Sequence, residues 1–140
     1  MFVVPATLLS AISTLLAVIM LLFTFGQVAR MRGQHKIAAP AMTGHPVFER
    51  AVRVQMNTLE QFAIFVPLLW LATLYFRVYP WAPAILGVVW VIGRLVYSIG
   101  YMADPNKRHS GFLISFLASM ALLVLAVIGL IETWIVVTAS

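Results

Sequence analysis

The chain has 140 residues, of which 63% are hydrophobic and only 9% charged, a composition far from that of soluble globular domains. A bilayer-crossing helix takes roughly 20 mostly apolar residues, so four spans with short connections use up these residues and leave no room for a separate soluble domain. The net charge of +5 raises nucleic acid as a partner, but the cations flank apolar segments instead of lining one soluble face, which argues against it. Cysteine is absent, so disulfides, thiolate metal sites and a cysteine nucleophile are excluded, and any thiol chemistry must use a thiol brought by a substrate.

The first helix is expected over about 5–29, with Pro5 acceptable in its first turn. Phe2 through Val28 carries no charge, which is too long for the apolar region of a signal peptide, and no basic segment precedes it. It therefore reads as a retained membrane helix. Arg30, Met31, Arg32 and Gly33 open the longest connection, where Lys36, Pro40, Gly44 and Pro46 are expected to prevent regular structure until about Val47. A second helix follows over about 48–75, with a kink expected at Pro67. Arg77, Val78, Tyr79 and Pro80 form a tight loop that makes the second and third helices antiparallel neighbours. The third helix is expected over about 81–102 and the fourth over about 111–137, joined by a turn signal at Asp104-Pro105-Asn106. The fold class is thus all-α: one transmembrane domain over 1–140, an integral membrane four-helix bundle of left-handed up-down topology.

Arg30, Arg32 and Lys36 in the first loop, Arg50 and Arg53 just beyond it, and Lys107 and Arg108 in the third outweigh Arg77 in the second. Positive charge is retained on the cytoplasmic side, so loops one and three are expected there and both termini opposite. Trp81, Trp134, Tyr75 and Tyr79 near span ends fit the aromatic belt at the other interface.

The second helix carries Glu49, Arg50, Arg53, Asn57, Glu60 and Gln61 in its first half, and at 100° per residue these fall in an arc of about 120°. Gln55 points the opposite way, towards a second neighbour. Ionisable groups at membrane depth cost roughly 2.5 kcal/mol or more each and are functional by default. The bland alternative is an interhelical ion-pair network, Arg53 with Glu60 and Arg50 with Glu49, that only holds the bundle together. Arg94, Tyr97 and Tyr101 recur on one face of the third helix, with Asp104 one turn later. Together the two faces offer donors for carboxylates and an acceptor for an ammonium group, a set suited to a small zwitterionic peptide such as glutathione.

The run Gly44-His45-Pro46-Val47-Phe48-Glu49-Arg50-Ala51-Val52-Arg53-Val54-Gln55-Met56-Asn57-Thr58-Leu59-Glu60 resembles the signature of the MAPEG family, the membrane-associated proteins of eicosanoid and glutathione metabolism. Arg94-Leu95-Val96-Tyr97-Ser98-Ile99-Gly100-Tyr101, followed by Arg108, is similar to the third-helix motif of the leukotriene C synthase group. The resemblance implies a homotrimer with glutathione held between adjacent subunits near the cytoplasmic face. It implies Arg53, Asn57, Glu60, Arg94, Tyr97 and Tyr101 as glutathione ligands, with Arg32 and Gln55 as further contacts. Arg108 matches the family's thiolate-stabilising arginine; read by itself it is equally a topology-setting loop cation beside Lys107. Gln61 and Gly33 depart from the leukotriene C synthase group, which commonly has an aromatic residue and a second loop arginine at those points.

The implied activity is a membrane-bound glutathione transferase, with glutathione as co-substrate, that adds the thiolate to hydrophobic electrophiles and extends to peroxidase action on lipid hydroperoxides. The alternatives are a non-enzymatic lipid-binding scaffold of the same family and, on size alone, a four-helix drug/proton exchanger. The exchanger is disfavoured because Glu60 shares its stripe with Arg50 and Arg53. His35, His45 and His109 lack metal-ligand spacing, so no metal is expected. Short loops favour a bacterial inner membrane, with an endoplasmic-reticulum-type membrane as the other setting.

Overall fold

A computed structural model describes residues 5–139. Residues 2–4 of the charge-free N-terminal stretch lie outside them. Four helices follow one another: α1 Ala6–Gln34, α2 Pro46–Tyr75, α3 Ala82–Ala103 and α4 His109–Thr138, with a single 3-10 turn at Pro105–Arg108. Each is long and apolar enough to cross a membrane.

Helix α1 continues well past the expected end near residue 29, because polarity ends contact with lipid without ending hydrogen bonding. Arg30, Met31 and Arg32 are good helix formers, and their turn closes on a Schellman-type cap. In it the Lys36 N–H donates to Gly33 (3.3 Å) and the Ile37 N–H to Arg32 (3.0 Å), with Lys36 at φ 54° where glycine is usual. Helix α2 starts at Pro46, earlier than expected, because His45 caps it: its Nδ1 accepts the Val47 N–H at 3.2 Å and Pro46 needs no partner at a helix start. It remains helical through Pro67 to Tyr75. The third connection is also more regular than a plain loop. Asp104 Oδ1 accepts the Asn106 N–H at 2.9 Å and starts the 3-10 turn that leads directly into α4.

Helices α2 and α3 pack on each other and on both remaining helices, so they form the short diagonal, with α1 and α4 at the far corners. Small residues permit close packing where the backbones meet. A Cβ on Gly111 would strike the Tyr97 backbone nitrogen, and one on Gly93 would lie 2.6 Å from the Ser115 nitrogen, so α3 and α4 touch nearly backbone to backbone. Trp90, stacked on Phe65 at 4.2 Å, centres an apolar core with Ala17, Leu69, Ala72, Ala118 and Leu122. The outside is equally apolar: Leu8, Ile12, Leu15, Ile19 and Leu22 form an exposed stripe at helical spacing on α1, the surface expected to face lipid tails.

Candidate functional site

Packing of the first half of α2 against the last half of α3 and the start of α4 leaves a cavity of about 460 Å³, within the range of small-molecule sites. Arg53, Met56, Asn57 and Glu60 line it from α2, Tyr97 and Tyr101 from α3, and Arg108, His109 and Phe112 from the opening of α4. Six of the nine residues singled out in the sequence thus share one wall.

Arg94 lies beneath this wall, with no solvent exposure. Its Nη2 donates to Asn57 Oδ1 at 3.0 Å and to Thr58 Oγ1 at 2.8 Å, and its Nη1 to Ser115 Oγ at 3.5 Å. The guanidinium also sits 4.1 Å from the centre of the Tyr97 ring. A buried cation needs such company, since its desolvation is offset only by several good acceptors and a π face. Because Asn57 Oδ1 is taken, its amide N–H groups remain as donors for a cavity occupant.

Tyr97 and Tyr101 are tilted neighbours 5.7 Å apart, and Arg108 stands 5.7 Å from the Tyr101 ring centre. The Tyr101 hydroxyl and the side chains of Arg53, Glu60 and Arg108 make no hydrogen bond or ion pair among the described residues. The alternative of a purely structural ion-pair network therefore lacks its contacts. Arg50 donates to the Met102 carbonyl at 3.3 Å, and Glu49 accepts the Gly44 N–H at 3.1 Å. These two hold the ends of α2 and α3 in place, while Arg53, Glu60 and Arg108 stay available.

Arg32 and Gln55 lie outside the cavity lining of their own chain. Arg32 staples the first loop: it donates to the Ala41 carbonyl at 2.8 Å and lies 4.8 Å over the Phe48 ring. Gln55 is half-buried on another face of α2. Sequence reasoning missed Met56, Thr58, His109, Phe112 and Ser115. The sequence puts His109 in a loop and Ser115 in an apolar span; the close approach of α3 and α4 at Gly93 and Gly111 brings Ser115 to Arg94, and α4 opens at His109 beside Arg108. Thr58 gave a weak signal, since it adjoins Asn57 in the polar stripe.

A model of the MAPEG family matches residues 9–128. The chain belongs to the MAPEG family. Among its MAPEG relatives, microsomal glutathione S-transferase 2 of Mus musculus is 41% identical over 125 residues, 89% of this chain and 82% of the relative. Leukotriene C4 synthase of Cavia porcellus is 38% identical over 123 residues, 88% of this chain and 81% of the relative. An uncharacterized protein of Synechocystis sp. is 41% identical over 124 residues, 89% and 86% of the two chains. With the family and four spans of suitable length and composition, this MAPEG chain is a multi-pass integral membrane protein.

Proposed function

We propose that this protein is a membrane glutathione transferase that conjugates the glutathione thiolate to hydrophobic electrophiles, with lipid hydroperoxides as further substrates. The observation that carries the reading is a single cavity holding two unpaired guanidinium groups, Arg53 and Arg108, one unpaired carboxylate, Glu60, and two tyrosines. Glutathione has two carboxylates, one ammonium and one thiol. Arg53 and the Asn57 amide take carboxylates, Glu60 takes the ammonium, and Tyr97 and Tyr101 donate from their hydroxyls. Arg94 acts beneath them as a positioning residue, holding Asn57 and the Tyr97 ring. The names of the mouse and guinea-pig relatives support the same chemistry.

Arg108 is assigned to the sulfur. A free thiol with pKa near 8.5 is mostly protonated at neutral pH, and a guanidinium that never loses its charge favours the thiolate. The thiol proton passes to water, and the thiolate attacks the electrophile's carbon to form the C–S bond as an activated alkene's π bond or an epoxide C–O bond breaks. The displaced electron pair, on the conjugated carbonyl system or the epoxide oxygen, takes a proton from water. Arg32 and Gln55, away from this cavity, fit a homotrimer in which a neighbouring subunit supplies them. The cations of the first and third loops support a cytoplasmic setting for this end of the bundle.

The test is the thiolate absorbance of glutathione titrated into purified protein across pH. Wild type is expected to show thiolate at neutral pH. Arg108→Ala raises the bound thiol's pKa by about 1–3 units, so thiolate and conjugation appear only at more alkaline pH. Arg53→Ala weakens binding instead and leaves the pH midpoint in place. Absence of both binding and thiolate in wild type would overturn the transferase and favour a lipid-binding scaffold.

A further inference from the structure

The end of the bundle away from the cavity holds a second hollow, of about 490 Å³, where the last turns of α4 meet the end of α2. Tyr75, Arg77, Glu132, Thr133, Ile135 and Val136 line it. Its geometry follows from Gly129: a Cβ there would lie 2.5 Å from the Phe76 nitrogen, so α4 rests directly on the chain leaving α2. Glu132, one turn further along α4, and Arg77, one residue beyond Phe76, then border the same space.

Opposite charges this near usually pair. Neither Arg77 nor Glu132 makes a hydrogen bond or ion pair among the described residues, although both face one hollow. A carboxylate beside lipid is expensive without a counter-charge, so the pair of separated charges is matched to a ligand carrying both signs. The surroundings identify its source. Tyr79, Trp81 and Trp134, exposed by 57%, 51% and 72%, mark this end as a membrane interface. Ile135 and Val136 continue the hollow as an exposed apolar strip along α4, where an acyl chain would lie.

We propose that this hollow binds an aminophospholipid headgroup, with Arg77 on the phosphate and Glu132 on the primary ammonium. The Arg77 guanidinium gives charge-assisted hydrogen bonds to phosphate oxygens, and Glu132 accepts N–H bonds from an ethanolamine-type ammonium. A choline headgroup supplies the positive charge but no N–H to donate, and a glycerol headgroup offers no cation, so neither gives the Glu132 carboxylate a charge-assisted hydrogen bond. The site is remote from the glutathione cavity and stands independently of the transferase reading.

Native mass spectrometry of the delipidated full chain, offered phosphatidylethanolamine, phosphatidylcholine and phosphatidylglycerol of identical acyl chains, tests it directly. Wild type is expected to retain phosphatidylethanolamine about tenfold better than the other two, the size of one charged hydrogen bond. Glu132→Gln, nearly isosteric, removes that preference, and Arg77→Ala weakens all three, with thermal melting reporting that each variant is folded. Equal retention of the three lipids by wild type, or a preference that survives Glu132→Gln in the folded protein, sinks the proposal. Displacement of the lipid by glycerophosphoethanolamine at matching concentration would also overturn it, by assigning the hollow to a soluble zwitterion.

Discussion

One turn of α3 separates Trp90 from Arg94, and both side chains have no solvent exposure, yet they are held by opposite means. Trp90 is stacked on Phe65 and surrounded by Leu69, Ala118 and Leu122, while its Nε1 has no partner among the described residues. Arg94 is held by Asn57, Thr58, Ser115 and the face of Tyr97. The first region gains from dense packing alone, because lipid tails are as apolar as leucine and burial brings no hydrophobic gain between membrane helices. The second is expensive to assemble: both Nη atoms of Arg94 find acceptors while its Nε has no partner among the described residues, and these bonds in turn hold Asn57 and Tyr97 at the cavity wall. The comparison separates stability from chemistry along a single helix.

The sharpest way to break it is Arg94→Ala, which strips Asn57 and Thr58 of their donor. The expected loss is about 3 kcal/mol in thermal unfolding, together with weaker glutathione binding; unchanged binding would mean that Arg94 does not position the wall. Next comes Phe65→Ala, which opens a void beside Trp90 and should cost about 2 kcal/mol through the cavity alone. Its pH dependence of thiolate formation should match wild type, and a shifted midpoint would show that the two regions are not separable. Gly111→Ala acts on both, since its Cβ meets the Tyr97 backbone: an overpacking cost of about 1 kcal/mol or more is expected, with loss of glutathione affinity in isothermal titration. The smallest effect belongs to the far end of the bundle. Ser10 and Thr73 share a buried hydrogen bond of 2.7 Å, and Ser10→Ala should lower stability by only about 0.6 kcal/mol and leave conjugation kinetics unaltered.

Much of this arrangement was legible in advance. The four spans follow from apolar length, and the facing of Arg94, Tyr97 and Tyr101 follows from helical periodicity, because an angular position on a helix is set by residue number. Residues that reach the cavity by approach of another helix were not legible. His109 and Phe112 enter it because α4 starts immediately after the 3-10 turn and lies against α3 at Gly111. Arg32, expected in the first loop and implied as a further glutathione contact, lies instead in the last turn of α1, where the continuation to Gln34 lets it reach the Ala41 carbonyl and the Phe48 ring. Hydropathy reports where lipid ends, whereas helix ends are decided by backbone hydrogen bonds and caps.

The amino-acid sequence by itself determined the membrane setting, the number of helices and the polar faces of α2 and α3, since these depend on composition and on a fixed rotation per residue. Only the tertiary structure decided which charges are consumed and which remain available. Arg94 and Arg50 find hydrogen-bond acceptors on segments distant in sequence, whereas Arg53, Glu60 and Arg108 make no hydrogen bond or ion pair among the described residues. That outcome depends on side chains brought within about 3 Å by helix packing, a distance that no spacing along the chain encodes.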